Sequence, residues 1–133
     1  MSDKLIKTMA GCKKLLPEIH LPAQSGDNEI LKKMNRKYTV EHYKKIIKKI
    51  RRLMPEVKIS TDIIVGFPGE TRKQFNNTVK LMREIRFNKA YIARYSPRPG
   101  TAAFKLDDDV APVEKKKRWL ELNSLLKQYA GKE

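Results

Sequence analysis

Three short segments hold residues whose types and spacing suit ligand chemistry. In Ser60-Thr-Asp-Ile-Ile-Val-Gly-Phe-Pro-Gly-Glu-Thr71 one carboxylate, Asp62, lies in a β-branched run that ends at Gly66. A buried strand, a glycine turn and a helix start make the βα corner at which α/β proteins hold nucleotide-like ligands. Glycines there let a ligand approach the backbone, and helix N-terminal amides favour anionic groups. No Gly-Lys-Ser/Thr follows, so this is not a Walker A loop. The structural alternative is a tight turn with a Pro68-Gly69 type II bend and Glu70 set against the helix dipole. Asp62 adds weight to function. A carboxylate in an apolar strand needs a partner, which could be a ribose or amine of a ligand or a core hydrogen-bond donor.

The second segment, His20-Leu-Pro-Ala-Gln-Ser-Gly26, offers the paired donors and acceptors of Gln24 and Ser25. Its alternative is a polar loop leading to a helix cap at Asp27. In the third, Tyr95-Ser-Pro-Arg-Pro-Gly-Thr101, two prolines hold Arg98 in a preset position suited to phosphate or carboxylate. Its alternative is a rigid loop with a solvent-facing arginine. Each segment follows a strand, and loops after successive parallel strands share one face of the sheet. That coincidence favours a binding site. His20 and His42 lack ligand spacing and read as structural or surface groups. Asp107 to Asp109 reads as favouring the start of the last helix, and Cys12 as an incidental thiol.

The elements that must position these loops are legible from periodicity. A short helix is expected at residues 3–11 and a strand at Glu18 to Leu21, closed by Pro22. Asp27 caps a helix through Ile30, Leu31 and Met34. Thr39 caps a stronger one, with Val40, Tyr43, Ile47, Ile50 and Met54 on one face, stopped by Pro55. Val57 to Val65 reads as a parallel strand buried on both faces. Thr71 and Gln74 form a capping-box pattern before a helix with Phe75, Val79, Met82 and Ile85 or Arg86 as its stripe. Phe87 to Tyr95 is the third strand. Pro112 opens the last helix, with Trp119, Leu122, Leu126 and Tyr129 as its apolar face. The order α-β-α-α-β-α-β-α predicts an α/β fold with a parallel sheet. Three strands are too few for a closed barrel, so a piece of a larger fold is expected, with sheet edges open to self-association.

Composition narrows the partners. The chain carries 30 Lys and Arg against 15 Asp and Glu, a net +15. Folded charge of that size draws polyanions, nucleic acid first. The alternative is a charged surface with no partner. Residues 1–54 hold 14 basic and 5 acidic residues, densest from Lys44 to Arg52. The single cysteine excludes a disulfide within the chain and a site built from several of its own thiolates. Residues 1–7 have no signal-peptide core, and no apolar run reaches membrane-spanning length. A cytoplasmic protein without membrane contact is expected.

The three segments, with Met34-Asn-Arg-Lys-Tyr-Thr39 between them, occur in this order and spacing in the radical SAM methylthiotransferases. The chain resembles that family over roughly residues 4–126, most closely its tRNA-modifying branch. The resemblance implies the second half of a radical SAM partial barrel, a half TIM-like fold. It also implies S-adenosylmethionine as cofactor and a parent enzyme that methylthiolates a modified adenosine beside the tRNA anticodon. Gln24 and Ser25 then stand near the polar end of the adenosyl ligand. Asp62 stands in the strand lining it, and Ile64, Val65 and Gly66 against its adenine. Arg98 would face the substrate or the methionine carboxylate. Family members hold a [4Fe–4S] cluster on a CxxxCxxC loop, which this sequence lacks. Residues 1–133 are therefore expected to be one fragment of the radical SAM domain, without the cluster-binding half or the flanking N-terminal and RNA-binding domains, and inactive alone. Two alternatives stand beside this reading: a non-catalytic basic RNA-binding α/β module, and a fragment of the ribosomal-protein branch. Pro97-Arg98-Pro99 argues against the second, because that branch usually carries an acidic loop there.

Overall fold

The structure is a computed structural model and describes residues 18–97 and 108–130. The helix expected at residues 3–11, Cys12 and the Arg98 loop lie outside them. Strand β1 (Glu18–His20) leads to helices α1 (Asn28–Lys33) and α2 (Val40–Leu53). Strand β2 (Lys58–Val65), helix α3 (Arg72–Ile85), strand β3 (Lys89–Arg94) and helix α4 (Pro112–Ala130) follow. The strands form one parallel sheet in the order β1-β2-β3. Chain order and sheet order coincide, as successive β/α units require.

The helix starts follow their capping residues. Asp27 accepts from the Ile30 N–H and Thr39 from the His42 N–H, each at 3.1 Å. Thr71 accepts from the Gln74 N–H at 3.1 Å while Gln74 Oε1 accepts from the Thr71 N–H at 2.9 Å, a complete capping box. β1 stops at Pro22, which has no N–H to donate; Leu21 still donates to the Ser60 carbonyl at 2.9 Å.

The core lies between one face of the sheet and the helices. Ile19, Ile59, Ile63 and Val65 pack there with Tyr43, Ile47 and Ile50 of α2, Phe75, Leu81, Met82 and Ile85 of α3, and Leu122 and Leu125 of α4. Three expectations change. Phe87 belongs to the core before β3 and not to the strand, because Arg86 ends α3 in a left-handed turn at φ 54°. Arg86 is exposed, so Ile85 completes the stripe of α3. The inward side of α4 includes Lys115 and Arg118, both buried, with Leu122 and Leu125, while Trp119 is only half buried. No helix among the described residues is long and apolar enough to cross a membrane.

Candidate functional site

Strand residues alternate between faces, and β2 puts its two faces to different uses. Ile59, Thr61, Ile63 and Val65 are fully buried under the helices. Ser60, Asp62 and Ile64 point to the opposite face, where Asp62 and Ile64 are half exposed. Among the described residues the helices cover β2 on one side only, and Asp62 is not the buried carboxylate that the apolar run suggested. Its partner is His20 from β1. His20 Nε2 stands 3.1 Å from Asp62 Oδ2, and Nδ1 stands 2.7 Å from Ser60 Oγ. Tyr91 of β3 pairs in register with Asp62, and its ring meets the His20 ring edge-on at 5.9 Å. His20, Asp62 and Tyr91 therefore form a row across all three strands on the uncovered face.

The loop after β1 closes over the strand ends. Gln24 adopts φ 69° and bridges to Ile63, donating its N–H to the Asp62 carbonyl at 2.8 Å and accepting from the Ile64 N–H at 2.9 Å. It is half buried. Ser25 is fully buried. Its Oγ accepts from the Asp27 N–H at 3.1 Å and lies 3.4 Å from Thr78 Oγ1. Its hydroxyl shapes the loop. Gly26 donates to Thr78 Oγ1 at 2.9 Å, and a Cβ there would stand 2.5 Å from the Thr78 Cα. Glycine is needed for the loop to touch α3.

The corner after β2 is built from inside. Gly69 at φ 81° and the Glu70 N–H to Phe67 carbonyl bond of 2.9 Å make the expected type II bend. Gly66 takes φ 74°, and the space where its Cβ would stand is filled by the Lys115 side chain, not by an open approach to the backbone. Glu70 does not sit at the helix dipole. It folds back, fully buried, to accept from the Gly66 N–H at 3.0 Å and from Arg118 Nη1 at 2.8 Å. Burial pushes its carboxyl above the usual carboxylate range, against the opposing pull of the Gly66 N–H and Arg118. Its Oε2 is buried without a hydrogen-bond partner among the described residues. Of the three aspartates before α4, Asp107 lies outside the described residues, and the other two have specific partners. Asp108 pairs with Lys115 Nζ at 2.7 Å, and Asp109 accepts from the Gly69 N–H at 2.7 Å. They tie the segment before α4 to the corner.

Of the residues singled out in the sequence, Asp62 and Ile64 lie together on the uncovered face, with Gln24 beside them at the strand ends. Val65 turns its side chain to the helices, and its carbonyl accepts from the Tyr95 N–H at 2.8 Å, so it offers no apolar surface to that face. Arg98 lies outside the described residues. Sequence reasoning missed His20 and Tyr91, although the alternation of β1 and β3 would have placed them beside Asp62 once the register was known. It also missed Lys115 and Arg118, which look like solvent-facing charges within a lysine-rich helix.

Residues 1–82 match the Radical SAM superfamily. The chain is 55% identical over 118 residues to the tRNA-2-methylthio-N(6)-dimethylallyladenosine synthase of Endomicrobium trichonymphae, covering 89% of this chain and 28% of that protein. The proteins of the same name from Oceanobacillus iheyensis and Clostridium botulinum are 51% and 47% identical, covering 98% and 99% of this chain and 27% and 29% of theirs. The chain thus spans little more than a quarter of these relatives. In fold it is similar to coproporphyrinogen III oxidase of Escherichia coli, described as a radical SAM enzyme, with a TM-score of 0.79 at 20% identity over 97% of this chain and 30% of that one. The parallel β/α units and the match over more than half of the sequence agree: this chain belongs to the radical SAM superfamily.

Proposed function

We propose that this chain is the adenosyl-binding part of a radical SAM tRNA methylthiotransferase, acting on an adenosine that carries an N6-dimethylallyl group. The observation that carries this reading is the 55% identity to a synthase of that name. The uncovered face supplies matching chemistry. Asp62 Oδ1 makes no hydrogen bond among the described residues and can accept from ribose hydroxyls. Ile64 offers an apolar edge for adenine, and Gln24 stands over the strand ends.

S-adenosylmethionine fits these residues and, when bound, supplies the adenosyl group for radical chemistry. The chain's own part is to hold the ribose at Asp62 and the adenine beside Ile64. A [4Fe–4S] cluster does not fit this chain's residues, because three thiolates are needed and the sequence has only Cys12. Catalysis therefore requires cysteines from outside these 133 residues. tRNA as partner follows from the relatives' names, and the net charge of +15 is consistent with a polyanion. A cytoplasmic setting belongs to the same reading.

The test is replacement of residues 20–102 in a full-length tRNA methylthiotransferase by the matching residues of this chain. Retained tRNA methylthiolation supports the reading. Loss of all modification with normal cluster content contradicts it.

A further inference from the structure

We propose that Tyr91 is a stacking platform for the substrate nucleobase, with His20 as the positioning residue that fixes both the Tyr91 ring and the Asp62 carboxylate; this rests on the adenosyl reading of the same face. Tyr91 is 60% exposed in the middle of β3, on the side of the sheet away from the helices. Its neighbours Ala90 and Ile92 pack against the core, so the strand is anchored and the tyrosine is held outward. Among the described residues its ring meets one other aromatic ring, that of His20, and no hydrogen bond is made by its hydroxyl. A large aromatic surface is thus presented beside a carboxylate on a face that α/β proteins use for ligands.

The geometry points to a flat, uncharged heterocycle. Neighbouring parallel strands run about 4.8 Å apart, so a ring stacked on Tyr91 lies beside a ribose held by Asp62. A base stacked there would lie beside the adenosyl group that Asp62 would hold. On the adenosyl reading, the cofactor's own adenine lies two residues further along β2, beside Ile64, and leaves Tyr91 free. Every nucleobase has a face to stack, and aromatic side chains are the usual platforms. His20 is engaged at both nitrogens, by Ser60 and Asp62. It acts through its neighbours.

The test titrates the full chain with N6-dimethylallyladenosine and, separately, with S-adenosylmethionine, following nucleoside proton shifts and affinity by NMR. Variants are Tyr91→Ala, Tyr91→Phe and His20→Gln, whose amide can still donate to Asp62. Stacking predicts upfield nucleoside shifts and an affinity that falls about 10-fold in Tyr91→Ala, is kept in Tyr91→Phe, and is largely kept in His20→Gln but not in His20→Leu. S-adenosylmethionine affinity should change less than about twofold in Tyr91→Ala. Absence of nucleoside binding to the unmodified chain overturns the proposal, as does binding indifferent to Tyr91→Ala. Equal loss of both ligands in Tyr91→Ala assigns the ring to the cofactor's adenine and also overturns it. Tyr91-dependent nucleoside binding without any S-adenosylmethionine binding supports the platform while sinking the adenosyl reading.

Discussion

Arg118 Nη1 donates both to the Glu70 carboxylate, at 2.8 Å, and to the Glu70 carbonyl, at 3.0 Å. One guanidinium from α4 thereby locks the corner that ends β2, and Glu70 passes the constraint to the Gly66 N–H. Both side chains are buried. Removing Glu70 leaves buried Arg118 with Glu114 Oε1, at 3.0 Å, as its remaining ion-pair partner among the described residues. Glu70→Ala should therefore cost about 1–3 kcal/mol in urea unfolding, from the buried hydrogen bonds it removes, and Glu70→Gln clearly less, since its amide oxygen can still accept from Gly66. Equal losses in the two variants would show that the pair does not hold the corner.

The same carboxyl gives a pH dependence of defined sign. Burial raises the Glu70 pKa, so the folded chain holds this proton more tightly than the unfolded chain. Its contribution to stability is complete below the ordinary Glu range and is lost as pH rises through the higher folded value. From about pH 4 to pH 7, the stability of the unmodified chain relative to Glu70→Gln should fall. A difference that stays constant or grows with pH would place the Glu70 pKa at or below its ordinary value.

Thr78 carries the contact between the loop after β1 and α3. Thr78→Val keeps the shape but removes the acceptor of the buried Gly26 N–H, and should cost about 1–3 kcal/mol. Gly26→Ala should be worse, because its Cβ meets the backbone of Thr78 and Asn77 rather than a movable side chain. Thermal unfolding of both variants checks the order, and a neutral Gly26→Ala would show that the loop can lift off α3.

Much of the frame was legible because it is written locally. The caps at Asp27, Thr39 and Thr71, the β-branched run of β2 and the Pro68-Gly69 bend each depend on neighbours within a few residues. The Gly66 corner was legible as a turn, but its reason was not. Lys115 and Arg118 reach it from almost 50 residues away, and nothing in a lysine-rich helix marks which charges turn inward. Asp62 stood out as the one carboxylate in an apolar strand, yet its exposure depends on a face that no helix among the described residues covers. His20 and Tyr91 could be joined to it only through the register of three strands. Val65 is turned to the helices by alternation along β2, and Ser25 is buried by its bonds within the loop, neither of which the sequence marks.

The central claim is that the uncovered face of this sheet binds an adenosyl group through Asp62. Calorimetric titration of the chain with S-adenosylmethionine, beside Asp62→Ala, tests it most directly. Asp62 is half exposed, so the substitution should leave the fold intact by circular dichroism. The account predicts saturable binding that weakens about 10-fold or more in Asp62→Ala, the loss of a charge-assisted hydrogen bond. Binding of equal strength in both proteins, or none in either, would contradict it.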